Sequence, residues 1–143
     1  MVKFVLGPEG SGKTKWLIDG ANKDKAEGNG NIVFIDTDDS HIFTLDHTVR
    51  LVNARDFHIS NSKELYGFLC GIISRDYDVE KIYIDGIYDI INFNMDTFVL
   101  LIERLEEISK EFNVEFLMGM NKQMEDLPEE FRANSVEFRD TFC

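Results

Sequence analysis

The sequence is poor in cysteine, in proline and in positive charge. Its 143 residues include two cysteines, two prolines, and 15 Lys or Arg residues against 27 Asp or Glu residues. Two cysteines cannot build a disulfide framework, and Cys70 stands in an apolar helical pattern while Cys143 is the last residue. We therefore predict one buried and one terminal thiol, with no redox or metal role.

Long apolar runs and basic clusters are also missing. No stretch approaches the roughly 18 consecutive apolar residues of a membrane span, and the first residues lack the basic region, apolar core and cleavage site of a signal peptide. The formal net charge of −12 would repel a nucleic-acid backbone over most of the surface. These absences predict a cytoplasmic protein that neither spans a membrane nor binds nucleic acid.

What the sequence does contain is an alternation of apolar strands with helical periodicity. Five apolar runs are predicted as strands buried on both faces, at residues 2–6, 31–36, 49–53, 81–85 and 114–120. Helices are predicted after the first strand, with residues 22–30 as its exit loop, at 62–75, and between Phe98 and Phe112. The pattern indicates an α/β fold with three layers, α/β/α, around a mostly parallel five-stranded sheet.

The length fits one domain with a short C-terminal addition. A chain of this size buries a substantial core but leaves no room for a second catalytic domain of ordinary size. Residues 1–122 hold all the predicted strands and helices, whereas residues 123–143 are acidic and lack sustained periodicity. We predict that this last segment is either a loosely packed appendage of the same domain or an interaction tail.

The most specific motif directly follows the first predicted strand. It reads Gly7, Pro8, Glu9, Gly10, Ser11, Gly12, Lys13 and Thr14. This G-x-x-x-x-G-K-[ST] spacing lets successive backbone N–H groups converge on phosphate oxygens, because glycine leaves no side chain in the way. The Lys13 ammonium would reach the β and γ phosphates, and the Thr14 hydroxyl would bind Mg²⁺. The motif predicts a nucleotide-binding loop made of all eight residues.

A carboxylate ends the predicted strand 81–85. Ligands of open parallel sheets bind beyond the carboxyl ends of the strands, so Asp85 can face the same crevice as the loop. We predict that Asp85 and Thr14 hold Mg²⁺. Asp36, which ends the strand 31–36, is the alternative; with Asp38 and Asp39 it would assist the metal, position a water, or cap the segment that follows.

The loop and the Asp85 strand together make the chain resemble the P-loop NTPase superfamily. The chain is most similar to the RecA-like, additional-strand branch, because Asp85 lies far beyond Lys13 and another strand, 114–120, follows it. It also resembles short bacterial proteins labelled as related to twitching-motility ATPases. The RecA-like resemblance implies ATP and Mg²⁺ as ligands, and catalytic roles for Lys13, Asp85 and Asn121. Asn121 would then be a polar sensor of the γ phosphate, the alternative being an ordinary turn asparagine.

The order of the strands separates two function classes. If the strand 114–120 is inserted between the strands 2–6 and 81–85, its carboxyl end brings Asn121 to the γ phosphate, which favours a hydrolase or a switch. Direct pairing of the strands 2–6 and 81–85 would instead favour a kinase.

Gly86 departs from the RecA-like pattern, in which a water-activating glutamate follows the metal-binding aspartate. A carboxylate of Glu9, Asp36, Asp38 or Asp89 could take that role. No arginine stands at an evident position for contact with the γ phosphate, so folding or a second subunit would have to supply one.

Three functions are compatible with these residues. The first is a slow Mg-dependent NTPase or nucleotide-state switch that a protein partner reads. The others are a small kinase and a non-catalytic nucleotide-binding interaction module. ATP is favoured over GTP, because the nearest approach to an Asn-Lys-x-Asp guanine motif, at residues 121–124, is incomplete.

Overall fold

Six strands form one sheet in the computed structural model, which describes residues 1–28 and 30–138. The strands are β1 (Val2–Leu6), β2 (Asn31–Asp36), β3 (Arg50–Asn53), β4 (Val79–Ile84), β5 (Glu115–Met120) and β6 (Ser135–Glu137). The helices are α1 (Lys13–Ala26), α2 (Ser62–Arg75), α3 (Met95–Phe112) and α4 (Glu129–Arg132). The strand order is β3-β2-β4-β5-β1-β6, and all pairings between these strands are parallel. The predicted α/β class is confirmed, but the predicted count of five strands is wrong.

The sheet separates two apolar cores. Phe4 of β1 belongs to the core that α2 and α3 cover, whereas its neighbour Val5 belongs to the core that α1 covers. The same alternation in β2 sends Val33 to the first core and Phe34 to the second. Because both faces are covered, these strands read as continuous apolar runs. The arrangement has the three layers expected from the sequence.

Polar side chains fix the starts of the two helices on one face. At the start of α2, Asn61 Oδ1 accepts a hydrogen bond of 2.8 Å from the Glu64 backbone N–H. At the start of α3, Asn94 and Thr97 exchange side-chain to backbone bonds in a capping box. These caps place the helix starts at Ser62 and Met95, about one turn before the apolar periodicity begins at Leu65 and Phe98.

Helix α1 is longer than the sequence predicts. Residues 22–30 are predicted as its exit loop, yet the helix continues to Ala26. The Asn22 amide bonds the neighbouring loop, donating to the Thr44 carbonyl and accepting from the Asp46 backbone N–H, and so does not compete with the helix backbone. The polar composition of this stretch therefore reflects the solvent-facing end of a helix.

The strand that the sequence analysis misses lies in the C-terminal segment. β6 runs beside β1, with Ser135 opposite Phe4. Just before it, the ring of Phe131 in α4 lies 6.1 Å from the ring of Phe4 and 6.4 Å from that of Phe98, measured between centroids. Up to residue 138 the predicted appendage is therefore packed on the core, and residues 139–143 lie outside the described part. The sequence Ser-Val-Glu carries no apolar run, so it gives no strand signal.

Strand β5 lies between β1 and β4. Leu6 at the end of β1 is opposite Met120 of β5, and Ile84 at the end of β4 is opposite Met118. The carboxyl ends of these three strands therefore meet at one edge of the sheet. This is the inserted order of the two that the sequence left open, and it places Asn121, the residue after β5, at that edge.

Two expectations from composition concern thiols and membranes. Cys70 is a free thiol of intermediate burial in α2, and Cys143 lies outside the described residues. In the described part of the chain, no helix combines the length and apolar character needed to cross a bilayer.

Replacement of Phe131 by alanine tests whether the C-terminal segment belongs to the folded core. Phe131 is 9% exposed, so we expect Phe131→Ala to lower the free energy of unfolding by about 3 kcal/mol in urea titrations. Phe112→Ala is the matched control, because that ring is 55% exposed and its loss should cost less than about 1 kcal/mol. Equal losses from the two variants would contradict the packing of the segment.

Candidate functional site

Residues 7–14, here called the glycine-rich loop, run from the end of β1 into the first turn of α1. Gly7, Gly10 and Gly12 have positive φ angles of 152°, 80° and 101°. Space also requires glycine at position 7, because a Cβ there would lie 2.6 Å from the Phe138 carbonyl oxygen and 2.7 Å from Ser11 Oγ. The loop is thus a tight turn whose backbone is fixed by its neighbours.

Helix α1 begins within this loop, at Lys13, without a side-chain cap. Its N-cap residue, Gly12, has a left-handed backbone, and no acidic residue occupies the first turn. The first-turn N–H groups and the helix dipole therefore present uncompensated partial positive charge to the loop. Such a helix start favours the binding of an anion.

The Lys13 ammonium is held by three oxygen atoms. Nζ donates to the carbonyl oxygens of Gly7 at 2.9 Å and Pro8 at 3.0 Å, and to Asn121 Oδ1 at 2.7 Å. Because Asn121 follows β5, the last bond joins the loop to the neighbouring strand. The structure therefore brings together Lys13 and Asn121, two of the residues that the sequence analysis singled out.

Lys13 is buried although none of these three partners is charged. The residue is 5% exposed, and burial lowers the pKa of its ammonium, while the nearby carboxylates of Asp85 and Glu9 act in the opposite direction. Among the described residues, none of the salt bridges includes Lys13. A buried cation of this kind would gain most from a bound oxyanion.

Thr14 and Asp85 are joined by a hydrogen bond. Thr14 Oγ1 donates to Asp85 Oδ2 at 2.6 Å, and Asp85 is 4% exposed just past the end of β4. Gly119 in the adjacent β5 makes room for this carboxylate, since a Cβ at that position would lie 3.0 Å from Asp85 Oδ1. The two residues predicted to hold Mg²⁺ are therefore in direct contact.

Asp36 is a second buried carboxylate near Asp85. It is 5% exposed, and its Oδ1 accepts a 2.7 Å hydrogen bond from the Thr37 backbone N–H. The pKa of Asp36 is raised to about 6; burial is the largest cause, the charge of Asp85 adds to it, and the Thr37 bond opposes it. A carboxylate with a pKa near neutrality is suited to accept a proton from water.

The backbone explains why no glutamate follows Asp85. Gly86 has a φ of 71°, and a Cβ there would lie 2.9 Å from Thr37 Oγ1. A larger residue at this position would therefore meet both backbone strain and a steric clash.

Two cavities flank the glycine-rich loop. The first, here the carboxylate cavity, has a volume of about 420 Å³ and contains the five acidic residues Glu9, Asp36, Asp38, Asp85 and Asp89. Its other lining residues are Gly10, Gly12, Lys13, Thr14, Lys15, Thr37, His41, Gly86 and Tyr88. The second, here the tail-side cavity, measures about 560 Å³ and is lined by Gly7, Pro8, Asn121, Lys122, Gln123, Glu125, Asp126, Glu137 and Phe138. The predicted site residues thus line the two cavities on either side of the loop. The four carboxylates considered as water-activating groups, those of Glu9, Asp36, Asp38 and Asp89, all lie in the carboxylate cavity.

Ser11 is the one predicted site residue absent from both linings. Its Oγ is buried and has no hydrogen-bond partner among the described residues. Such an unpaired buried hydroxyl is uncommon in folded proteins.

Sequence reasoning missed Tyr88. Burial raises the pKa of its hydroxyl to about 12, with the charges of Asp85 and Asp89 adding to the shift and a hydrogen bond with Asn121 opposing it. The hydroxyl therefore stays protonated at neutral pH and contacts the residue that holds Lys13. The only available signal was its position in the loop that follows the Asp85 strand.

The oxygen donors of the carboxylate cavity fit Mg²⁺ only in part. Mg²⁺ is usually bound through one or two carboxylates together with substrate phosphates and water, and Thr14 and Asp85 supply donors of that kind. Within residues 1–28 and 30–138, no group of three or more His, Cys, Asp or Glu side chains is arranged to hold a metal. The site fits a cation that arrives with phosphate oxygens better than one held by the protein alone.

Comparison with known proteins assigns no family to the chain. No protein-family model matches the chain, and no curated protein matches it. The similarity to nucleotide hydrolases expected from the motif therefore stays a prediction, and the function is argued from the contacts of the loop.

The buried charge of Asp36 predicts a pH-dependent stability. The pKa of Asp36 is raised from 3.8 to about 6 in the folded state, so the ionised carboxylate destabilises the fold. This loss of folding free energy is complete above pH 6 and absent below pH 3.8. Asp36→Asn should therefore raise the free energy of unfolding of the metal-free protein at pH 8, by on the order of 1–3 kcal/mol, and the gain should vanish by pH 4.

Asp38→Asn is the matched control for this experiment. Hydrogen bonds from the Ser40 side chain and backbone lower the pKa of Asp38, so its ionised form is favoured in the folded state. This variant should be slightly less stable than the unmodified protein at pH 8, the opposite sign. Urea unfolding in EDTA between pH 4 and pH 8 measures both, and a destabilised Asp36→Asn at pH 8 would contradict the charge argument.

Proposed function

We propose that the chain binds a Mg-nucleoside triphosphate at the glycine-rich loop, ATP rather than GTP, and acts in the cytoplasm as a slow NTPase or nucleotide-state switch. A protein partner would read the bound nucleotide through the loops that follow Asp36 and Asp85. We propose on the same grounds that the chain is related to the RecA-like branch of the P-loop NTPase superfamily.

The observation that carries the proposal is the buried, unpaired charge of Lys13. Among the described residues its Nζ donates hydrogen bonds to neutral oxygens alone, beside an uncapped helix start that attracts anions. Phosphate oxygens would compensate the buried ammonium through charge-assisted hydrogen bonds. The acidic lining of the rest of the carboxylate cavity disfavours a nucleoside triphosphate that does not bring a metal ion with it.

The metal would be held by Thr14 and Asp85. When bound, Mg²⁺ would neutralise charge on the β and γ phosphates. Asp85 would orient the Thr14 hydroxyl through their 2.6 Å hydrogen bond. The nucleoside fits the tail-side cavity better than the phosphates do, because Glu125, Asp126 and Glu137 line that side of the loop.

Slow turnover follows from the residues near Asp85. Gly86 offers no carboxylate, and the raised pKa of Asp36 makes it the best available acceptor for a proton from the attacking water. Asn121 and Tyr88, which contact each other, would sense the terminal phosphate from the end of β5. Lys13 Nζ would exchange its bond to Asn121 Oδ1 for one to phosphate, and Asn121 would donate to phosphate through Nδ2.

The strand order favours a hydrolase or switch over a small kinase. With β5 between β1 and β4, the carboxyl end of β5 supplies Asn121 to the loop. A non-catalytic nucleotide-binding module remains the alternative that the missing glutamate supports.

The central claim predicts that Lys13→Ala weakens nucleotide binding while the fold is kept. We expect Mg-ATP affinity, measured by isothermal titration calorimetry, to fall by more than about tenfold, since a charge-assisted contact to phosphate is lost. Lys23→Ala, an exposed lysine at the far end of the same helix, is the matched control and should bind normally. Wild-type protein with no affinity for Mg-ATP at millimolar concentration would refute the proposal.

Phosphate-release assays test the rate and the metal. We expect the isolated protein to turn over more slowly than about one ATP per second, the low end of ordinary enzymes, because no strong base is positioned. Asp85→Asn should reduce the dependence of ATP binding on Mg²⁺, whereas Asp39→Asn, an exposed acid of the neighbouring loop that does not line the cavity, should not. Fast multiple turnover would show that a base has been missed.

A further inference from the structure

Arg55 is the arginine that the fold brings to the candidate site. It lies in a single 3₁₀ turn, Ala54–Phe57, that directly follows β3. Its backbone N–H donates to Asn53 Oδ1 at 3.0 Å, and its side-chain Nε donates to the carbonyl oxygen of Thr37 at 2.9 Å. Thr37 lines the carboxylate cavity, so the guanidinium is anchored at the rim of that cavity by both its backbone and its side chain.

The outer part of this guanidinium has no acidic partner among the described residues. None of the salt bridges there includes Arg55, and its recorded side-chain bond uses Nε alone. The positive charge nevertheless reaches the site, because it contributes to lowering the pKa of Asp38. In a chain with a net charge of −12, an arginine that is near Asp38 and Asp89 but forms no ion pair among the described residues is unusual.

A third cavity begins at Arg55. It has a volume of about 450 Å³ and is lined by Arg55, His58, Ile59, Ser60, Asp89 and Ile90. Asp89 also lines the carboxylate cavity, so the two cavities adjoin at that residue. His58 holds a left-handed backbone, with a φ of 60°, at the end of the 3₁₀ turn, a conformation uncommon for residues other than glycine.

We propose that Arg55 forms an oxyanion site at the third cavity that takes a phosphate group next to the triphosphate end of the nucleotide. The two terminal nitrogens of the guanidinium offer a planar fork that matches two phosphate oxygens, and the Nε anchor reduces the cost of ordering the exposed side chain. The role of this site in turnover rests on the proposed function, whereas its affinity for phosphate does not.

Two sources could supply such a phosphate. One is the orthophosphate that hydrolysis releases, which would leave the carboxylate cavity past Asp89. The other is the phosphate group of an acceptor molecule. Both present the same oxyanion to Arg55, so they are distinguished by experiment.

The test measures orthophosphate binding in a Lys13→Ala background, which removes the phosphate affinity expected of the loop itself. Titration is followed by calorimetry and by the arginine Nε–Hε signals in NMR spectra. We expect millimolar binding that Arg55→Gln weakens by about tenfold, with Arg55→Lys intermediate because it keeps the charge but loses the fork. Arg75→Gln, an exposed arginine in α2 that lines neither cavity, is the matched control and should bind like the background.

Unchanged orthophosphate affinity in Arg55→Gln would overturn the proposal, provided that its thermal unfolding matches that of the background. Glycerol 3-phosphate is titrated in parallel. If orthophosphate binds more tightly than glycerol 3-phosphate, and if Mg-ADP increases its affinity in the protein with Lys13 intact, the occupant is the phosphate released by hydrolysis. If glycerol 3-phosphate binds more tightly than orthophosphate, the occupant is the phosphate group of an acceptor. Arg55-dependent binding in a protein that fails to bind Mg-ATP would refute the proposed function and leave this site standing.

Discussion

The burial of one positive charge organises the candidate site. Lys13 Nζ satisfies its three donors with two loop carbonyls and Asn121 Oδ1, and those bonds require the loop to fold back over the helix start. They also require β5 next to β1, because otherwise Asn121 would not be within reach. One ammonium group therefore depends on three features: the backbone angles of the glycines, the order of the strands and the uncapped start of α1. A charge that is costly to bury without an ionic partner is retained most readily where a ligand supplies that partner.

The sequence predicts the local parts of this arrangement well. The glycine spacing marks the turn from β1 into α1, and the apolar run before Asp85 marks a strand whose carboxyl end shares an edge with the loop. The contact between Thr14 and Asp85 follows from these two signals because all the strands are parallel. Its chemical role, like that of Asn121, cannot be read from position alone.

What the sequence does not predict depends on contacts between distant residues. β6 has three residues and no apolar run, so only its place beside β1 makes it a strand. Arg55 approaches the site through a bond to the Thr37 carbonyl, which no spacing in the sequence indicates. The polar end of α1 resembles a loop until Asn22 is seen to bond the segment beyond β2. In each case tertiary contacts override a weak local preference.

The contact between the glycine-rich loop and Phe138 couples the loop mechanically to the end of the described chain. The Phe138 backbone N–H donates to the Leu6 carbonyl at 2.7 Å, one residue before Gly7, whose missing side chain leaves room for the Phe138 carbonyl. A tether, fusion or partner that pulls on the chain after residue 138 would therefore strain the turn that holds Lys13.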